Sequence, residues 1–90
     1  MVQLAHEVWH CPDSNSFDFC RPNKRADAFR AENDPNAKLV HVIHASSWDE
    51  AMIQYHQWQG WKAYTPLPGN STRPYAPELL VAQKACRPEL

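Results

Sequence analysis

The chain predicts an α+β fold: a small two-layer domain in β-β-α-β-α order, helices on one face of a short sheet, with an irregular Pro-rich C-terminal tail. Three observations carry that expectation. Leu39 to Ile43 is a short run with apolar residues on both alternating faces, the pattern of a strand covered from two sides. Trp48, Ala51, Met52, Tyr55 and Trp58 recur at helical spacing between a Ser46-Ser47 cap and Gly60. Two alternating segments flank the turn-rich Pro12-Asp13-Ser14-Asn15, which reads as a hairpin.

Taken in order, Leu4 to Cys11 and Ser16 to Cys20 are the hairpin strands, with Phe17 and Phe19 on one face and Asp18 on the other. Asn23 then caps a helix over residues 24–32, stopped by Asn33-Asp34-Pro35. Its inner stripe reads as Ala26, Phe29 and Asn33, a narrow face that needs tertiary support. The Leu39 to Ile43 strand, apolar throughout apart from His41, is expected in the middle of the sheet. In the second helix Asp49 and Glu50 complement the dipole in the first turn, and Gly60 supplies the stop. Ile53 projects outside its apolar stripe, which hints at a contact surface.

Beyond Tyr64 the composition shifts to Pro66, Pro68, Pro74, Pro77 and Pro88, with Gly69-Asn70-Ser71-Thr72 between. The expected organisation is an α+β domain over residues 1–66 and a Pro-rich tail over 67–90, with a short helix at 77–85 started by Pro77.

A chain of 90 residues is one domain and buries only about 60–65% of the surface its unfolded form exposes. Four Trp, three Tyr and three Phe therefore supply much of the core. A formal charge of −1 with interleaved signs argues against a nucleic-acid module, which needs a basic face to replace counterions. No run approaches the ~18 apolar residues of a membrane span, and no charged-then-apolar leader opens the chain. Cys11, Cys20 and Cys86 leave an odd thiol after any pairing, which suits a reducing cytoplasm.

The chemistry-bearing residues show no metal-ligand pair at short spacing. His41 and His44 fall on opposite faces of a strand, and His6 and His10 share a face about 13 Å apart. The remaining metal option is a composite of His10, Cys11, Cys20 and His44. Cys20 is the best nucleophile candidate, since it precedes Arg21 and a helix N-terminus. It lacks the glycine-rich turn and the arginine six residues on that a phosphatase loop requires, and it reads as an inert, partly buried thiol. Glu7 forms a dyad with His6 or His44 only if the strands pair suitably. Gly60 and Gly69 are isolated, so no phosphate loop is present. Trp58, Trp61 and Tyr64 cluster around Gly60, either as core or as a sticky patch for a partner.

The stretch Ala37 to Pro66, AKLVHVIHASSWDEAMIQYHQWQGWKAYTP, resembles a set of short uncharacterised bacterial proteins. They share a strand, a Ser-Trp-x-Glu-Ala helix start and a Gly-Trp or Gly-Tyr followed by Tyr-x-Pro. The upstream CPDSNSFDFCRPNKRADAFR is similar to their hairpin and first helix, so the likeness covers about two thirds of the chain. It implies a common small fold and carries over no catalytic residue and no cofactor.

The functional expectation is a non-enzymatic accessory or interaction protein, self-associating or binding an unidentified protein. Its binding patch would be Ile53, Trp58, Trp61 and Tyr64, with no cofactor, nucleic acid or membrane. The alternative is a small-ligand or transition-metal binder using the His and Cys residues of the hairpin.

Overall fold

A computed structural model describes residues 2–66 and 73–88. The order is β1 (Leu4–Cys11), β2 (Ser16–Cys20), α1 (Lys24–Asn33), β3 (Lys38–Ala45), α2 (Trp48–Gln59) and α3 (Pro77–Cys86). The three strands form an antiparallel sheet in the order β2-β1-β3. The class is α+β, and α3 is the short helix expected at 77–85 in the tail.

The hairpin closes where predicted. Asn15 takes a φ of 50°, a left-handed conformation that asparagine tolerates better than most residues, and its N–H reaches Pro12 O. β1, not β3, is the central strand. Residues Leu4 to Val8 are buried consecutively, including the polar His6 and Glu7. β3 lies at an edge, with Leu39 and Val40 45% and 47% exposed beside a bulge opposite Val8 and Trp9. Apolar content misplaced the centre because the two polar side chains of β1 are paired by residues distant in sequence.

Five consecutive buried residues in β1 require cover on both sides of the sheet, since neighbours alternate faces. The first face carries Leu4, His6, Val8 and His10, and α2 packs there: Val8, Ile43 and Tyr55 form the core, with Phe19 and Met52 against them. The second face carries Glu7 and Trp9. It receives Arg30 from α1 and Arg87 from just beyond α3. The helices are thus divided between two faces, where the sequence predicted one.

α1 is turned opposite to expectation. Phe29 is 64% exposed while Arg30 is only 6% exposed. Adjacent helical residues lie about 100° apart, so one of them must face out. The guanidinium wins the inner position because it lies 4.1 Å from the centre of the Trp9 ring and pairs with Asp18 and Asp27 at 3.2 Å. A planar cation over an indole with two carboxylates beside it is favourably placed, although its buried Nε has no partner among the described residues.

α2 follows its sequence signals closely. Ser47 Oγ accepts from Glu50 N, and Ser46 Oγ donates to Glu50 Oε2. At the other end Gly60 has φ 75°. Its N–H bonds Gln57 O while Trp61 N–H bonds His56 O, a paired closure that ends the helix and folds the chain back.

The stretch Gly69-Asn70-Ser71-Thr72, expected to be irregular, lies outside the described residues. From Arg73 onward the chain is bound to the sheet. Tyr75 N–H donates to Ser46 O, and Gln83 and Arg87 bond β1 directly.

Candidate functional site

The first face carries a chain of rings. Trp48 lies 5.9 Å from His6 and 5.6 Å from Phe19. Phe19 stacks on Tyr55 at 4.2 Å with planes 1° apart. Tyr55 is buried and acts as a hub, with Trp58 stacked at 6.4 Å and Trp61 edge-on at 5.4 Å. Each indole is half in and half out of the fold: Trp58 is 40% exposed and Trp61 53%.

The outer rings are held on both sides. Trp58 lies parallel to His41 at 4.9 Å and meets Phe17 edge-on at 5.9 Å, which joins α2 to β3 and β2. Trp61 meets His56 edge-on at 5.3 Å, and Tyr64 meets the same imidazole at 5.2 Å. His56 Nδ1–H donates to Lys62 O at 3.0 Å. Tyr64 Oη–H donates to Asp49 Oδ1 at 3.4 Å; partial desolvation and the carboxylate raise its phenol above the usual range. Ile53 is exposed on α2 and enters no ring cluster. Of the four patch residues predicted, Trp58, Trp61 and Tyr64 are linked through Tyr55 and His56, and Ile53 stands apart. The sequence reading missed Phe17 and His41, which β-sheet register alone brings to Trp58.

The titratable groups are mostly engaged in the fold. His6 is fully buried. Its Nδ1–H donates to Ile43 O at 3.1 Å, and its Nε2 accepts from Tyr75 Oη–H at 2.8 Å. Burial lowers its pKa below the usual value, so it is held neutral. On the second face Glu7 accepts from Trp9 Nε1 and from Arg87 Nε and Nη2. Arg87 also holds Asp27, which in turn accepts from Arg30. These bonds lower the Asp27 pKa, with Arg87 the largest cause. No dyad forms between Glu7 and His6, because adjacent residues of β1 point to opposite faces.

The predicted metal composite is not brought together. His10 is on the first face, 5.1 Å from Phe17. Cys11 and Cys20 are on the second face at opposite ends of β2, and His44 lies exposed at the far end of β3. Among the described residues no three His, Cys, Asp or Glu side chains converge on a common point. Cys20 Sγ accepts from Arg30 Nη2 at 3.6 Å, yet burial, the largest effect, pushes its thiol up. It is the protonated, sluggish form that the fold favours. Beside it, an open cavity of about 490 Å³ between β2 and α1 is lined by Cys11, Phe17, Cys20 and Phe29 among others. Among the described residues, no helix is long and apolar enough to cross a membrane.

No family model, no curated protein and no solved structure matches this chain.

Proposed function

We propose that the chain is a non-enzymatic interaction module of the bacterial cytoplasm, binding a protein through the aromatic rim around Tyr55. The observation that carries the reading is the pair of partly exposed indoles, Trp58 and Trp61, both fixed against one buried tyrosine. Rigid aromatic side chains with little rotamer entropy left to lose are the residues on which interface energy concentrates. The ionisable groups favour the same reading, since His6, Glu7, Asp27, Arg30 and Arg87 are engaged with one another or with the backbone.

A photoreactive residue placed at Ile53 or at Trp61 tests the proposal in cells. A discrete crosslinked protein that disappears when Trp58 is changed to Ala supports it. Absence of any crosslinked species at both positions overturns it.

The second reading, a small-ligand binder, rests on the cavity beside Cys11 and Cys20. A thermal-shift screen with small apolar compounds, together with elemental analysis of the purified protein, distinguishes it, because a ligand bound only by the folded state raises the melting temperature. No shift and no retained metal would remove it.

A further inference from the structure

We infer that the groove between residues 21–24 and α3 binds a small organic anion, an apolar body with a carboxylate head, and that Arg21 and Lys24 hold the head. The groove shares no residue with the aromatic rim, so this inference stands apart from the interaction reading above.

The groove lies where β2 leaves the sheet. Pro22 cannot continue the ladder, since it has no N–H to offer β1, and the Gln83 amide takes both backbone bonds of Ala5 instead. Beside that amide is an open cavity of about 400 Å³. Leu4, Leu79, Ala82 and Ala85 are among the apolar groups lining it. A concave, mainly apolar space of a few hundred Å³ with a small number of polar groups is the usual form of a small-ligand site.

The polar groups decide what the ligand must be. Gln83 spends its amide on Ala5, and Asn23 accepts from Ala26 N and donates to Arg21 O. The other two polar side chains, apart from the Cys86 thiol, are the cations Arg21 and Lys24. Neither forms an ion pair among the described residues. Arg21 is nevertheless held in place, with its Cζ 5.2 Å from the centre of the Tyr75 ring. No carboxylate lines the groove: Asp27 of α1 is bonded to Arg30 and Arg87, and Glu78 of α3 is outside the lining. Ammonium and guanidinium groups only donate, so the head that satisfies them accepts and carries negative charge. The cavity beside Cys11 and Cys20 has the opposite character, because Asp18 and Asp34 line it. An anion therefore has one preferred place on this side of the fold.

Octanoate, octanol and octylamine, equal in chain length, are the probes, followed by the NMR shifts of the Leu4, Leu79 and Ala82 methyl groups in the full chain. Octanoate should give saturable shifts there that weaken as salt is added. The double variant Arg21→Glu with Lys24→Glu should weaken its binding by about tenfold or more. Ala82→Phe, at an exposed position, should block the groove without removing either charge, and circular dichroism should be unchanged in both proteins. Equal binding of octanol or octylamine would reduce the site to an apolar depression and overturn the inference. Octanoate shifts confined to the Ala26 methyl group, in the cavity beside Cys11, would do the same, as would the absence of any saturable shift. Vesicles of anionic phospholipid that bind the protein while octanoate shifts nothing would reject it in favour of a lipid surface.

Discussion

Gln83 and Ala5 are joined by two bonds: Ala5 N–H donates to Gln83 Oε1 at 2.7 Å, and Gln83 Nε2 donates to Ala5 O at 3.0 Å. The β1–β2 register runs out at Glu7 opposite Cys20, so the next bonding position would set Ala5 against Pro22. Proline has no N–H to give. A carboxamide from α3, with one donor and one acceptor, takes the place of the missing strand residue.

That arrangement predicts a large effect from a small change. Gln83→Leu leaves a buried backbone N–H and C=O without partners and should cost about 2–6 kcal/mol of stability, at roughly 1–3 kcal/mol for each orphaned group. Gln83→Glu keeps the acceptor only and should also destabilise. Urea denaturation of both variants checks this, and a loss under about 0.5 kcal/mol, the scale of ordinary surface changes, would contradict the pairing.

Arg87 should matter as much, although it lies beyond the last helix. It is the cationic partner of Glu7, whose side chain is 3% exposed. Arg87→Met strands that carboxylate and should cost about 3–5 kcal/mol. The double variant Glu7→Gln with Arg87→Met should recover part of the loss, because no unpaired charge stays buried. Equal losses in the single and double variants would show that the ion pair is not the cause.

The orientation of α1 gives opposite outcomes at neighbouring positions. Phe29→Lys should change stability by less than about 0.5 kcal/mol, as at other exposed sites. Arg30→Met should cost about 1–3 kcal/mol through the lost bonds to Asp18, Asp27 and Cys20. Thermal melts of the two variants decide between this packing and the reverse.

Stability should form a plateau in pH with two shoulders. The lowered pKa of His6 means that the unfolded chain takes up the proton first. Its contribution is complete above the usual histidine value of 6.5 and is lost as pH falls from there through the folded pKa. Asp27 has a lowered pKa through Arg87, so its share is complete above 3.8 and fades below. Burial raises the pKa of Tyr75, whose contribution is complete below 10.0 and is lost as pH rises through the folded value. Melting temperatures across the range, with the His6 ring resonances followed by NMR, check the signs. Protonation of His6 in the folded protein at or above the usual value of 6.5 would contradict them.

Local signals were enough for the elements themselves. The Ser47 cap and the Gly60 stop fix α2, Asn23 caps α1 with its Oδ1 accepting from Ala26 N, and Pro12 to Asn15 turn the hairpin. The aromatic cluster around Gly60 was equally legible, because Trp58, Trp61 and Tyr64 lie close together in sequence. Which side of α1 faces in depended on Trp9 and Asp18 of the hairpin, and which strand is central depended on partners far along the chain. His6 is bonded by Tyr75, Glu7 by Arg87 and Ala5 by Gln83.

Read by itself, the sequence determined the class, the helix ends and the turn, since these follow from backbone propensities acting over a few residues. Tertiary structure decided the strand order, the inward turn of Arg30 and the attachment of α3. A polar side chain is at home in the interior only when a partner of the right charge or hydrogen-bonding capacity reaches it. For β1 those partners come from the last fifteen described residues, whose composition gave no sign of the groups they would meet, and for Arg30 they come from Trp9, Asp18 and Asp27.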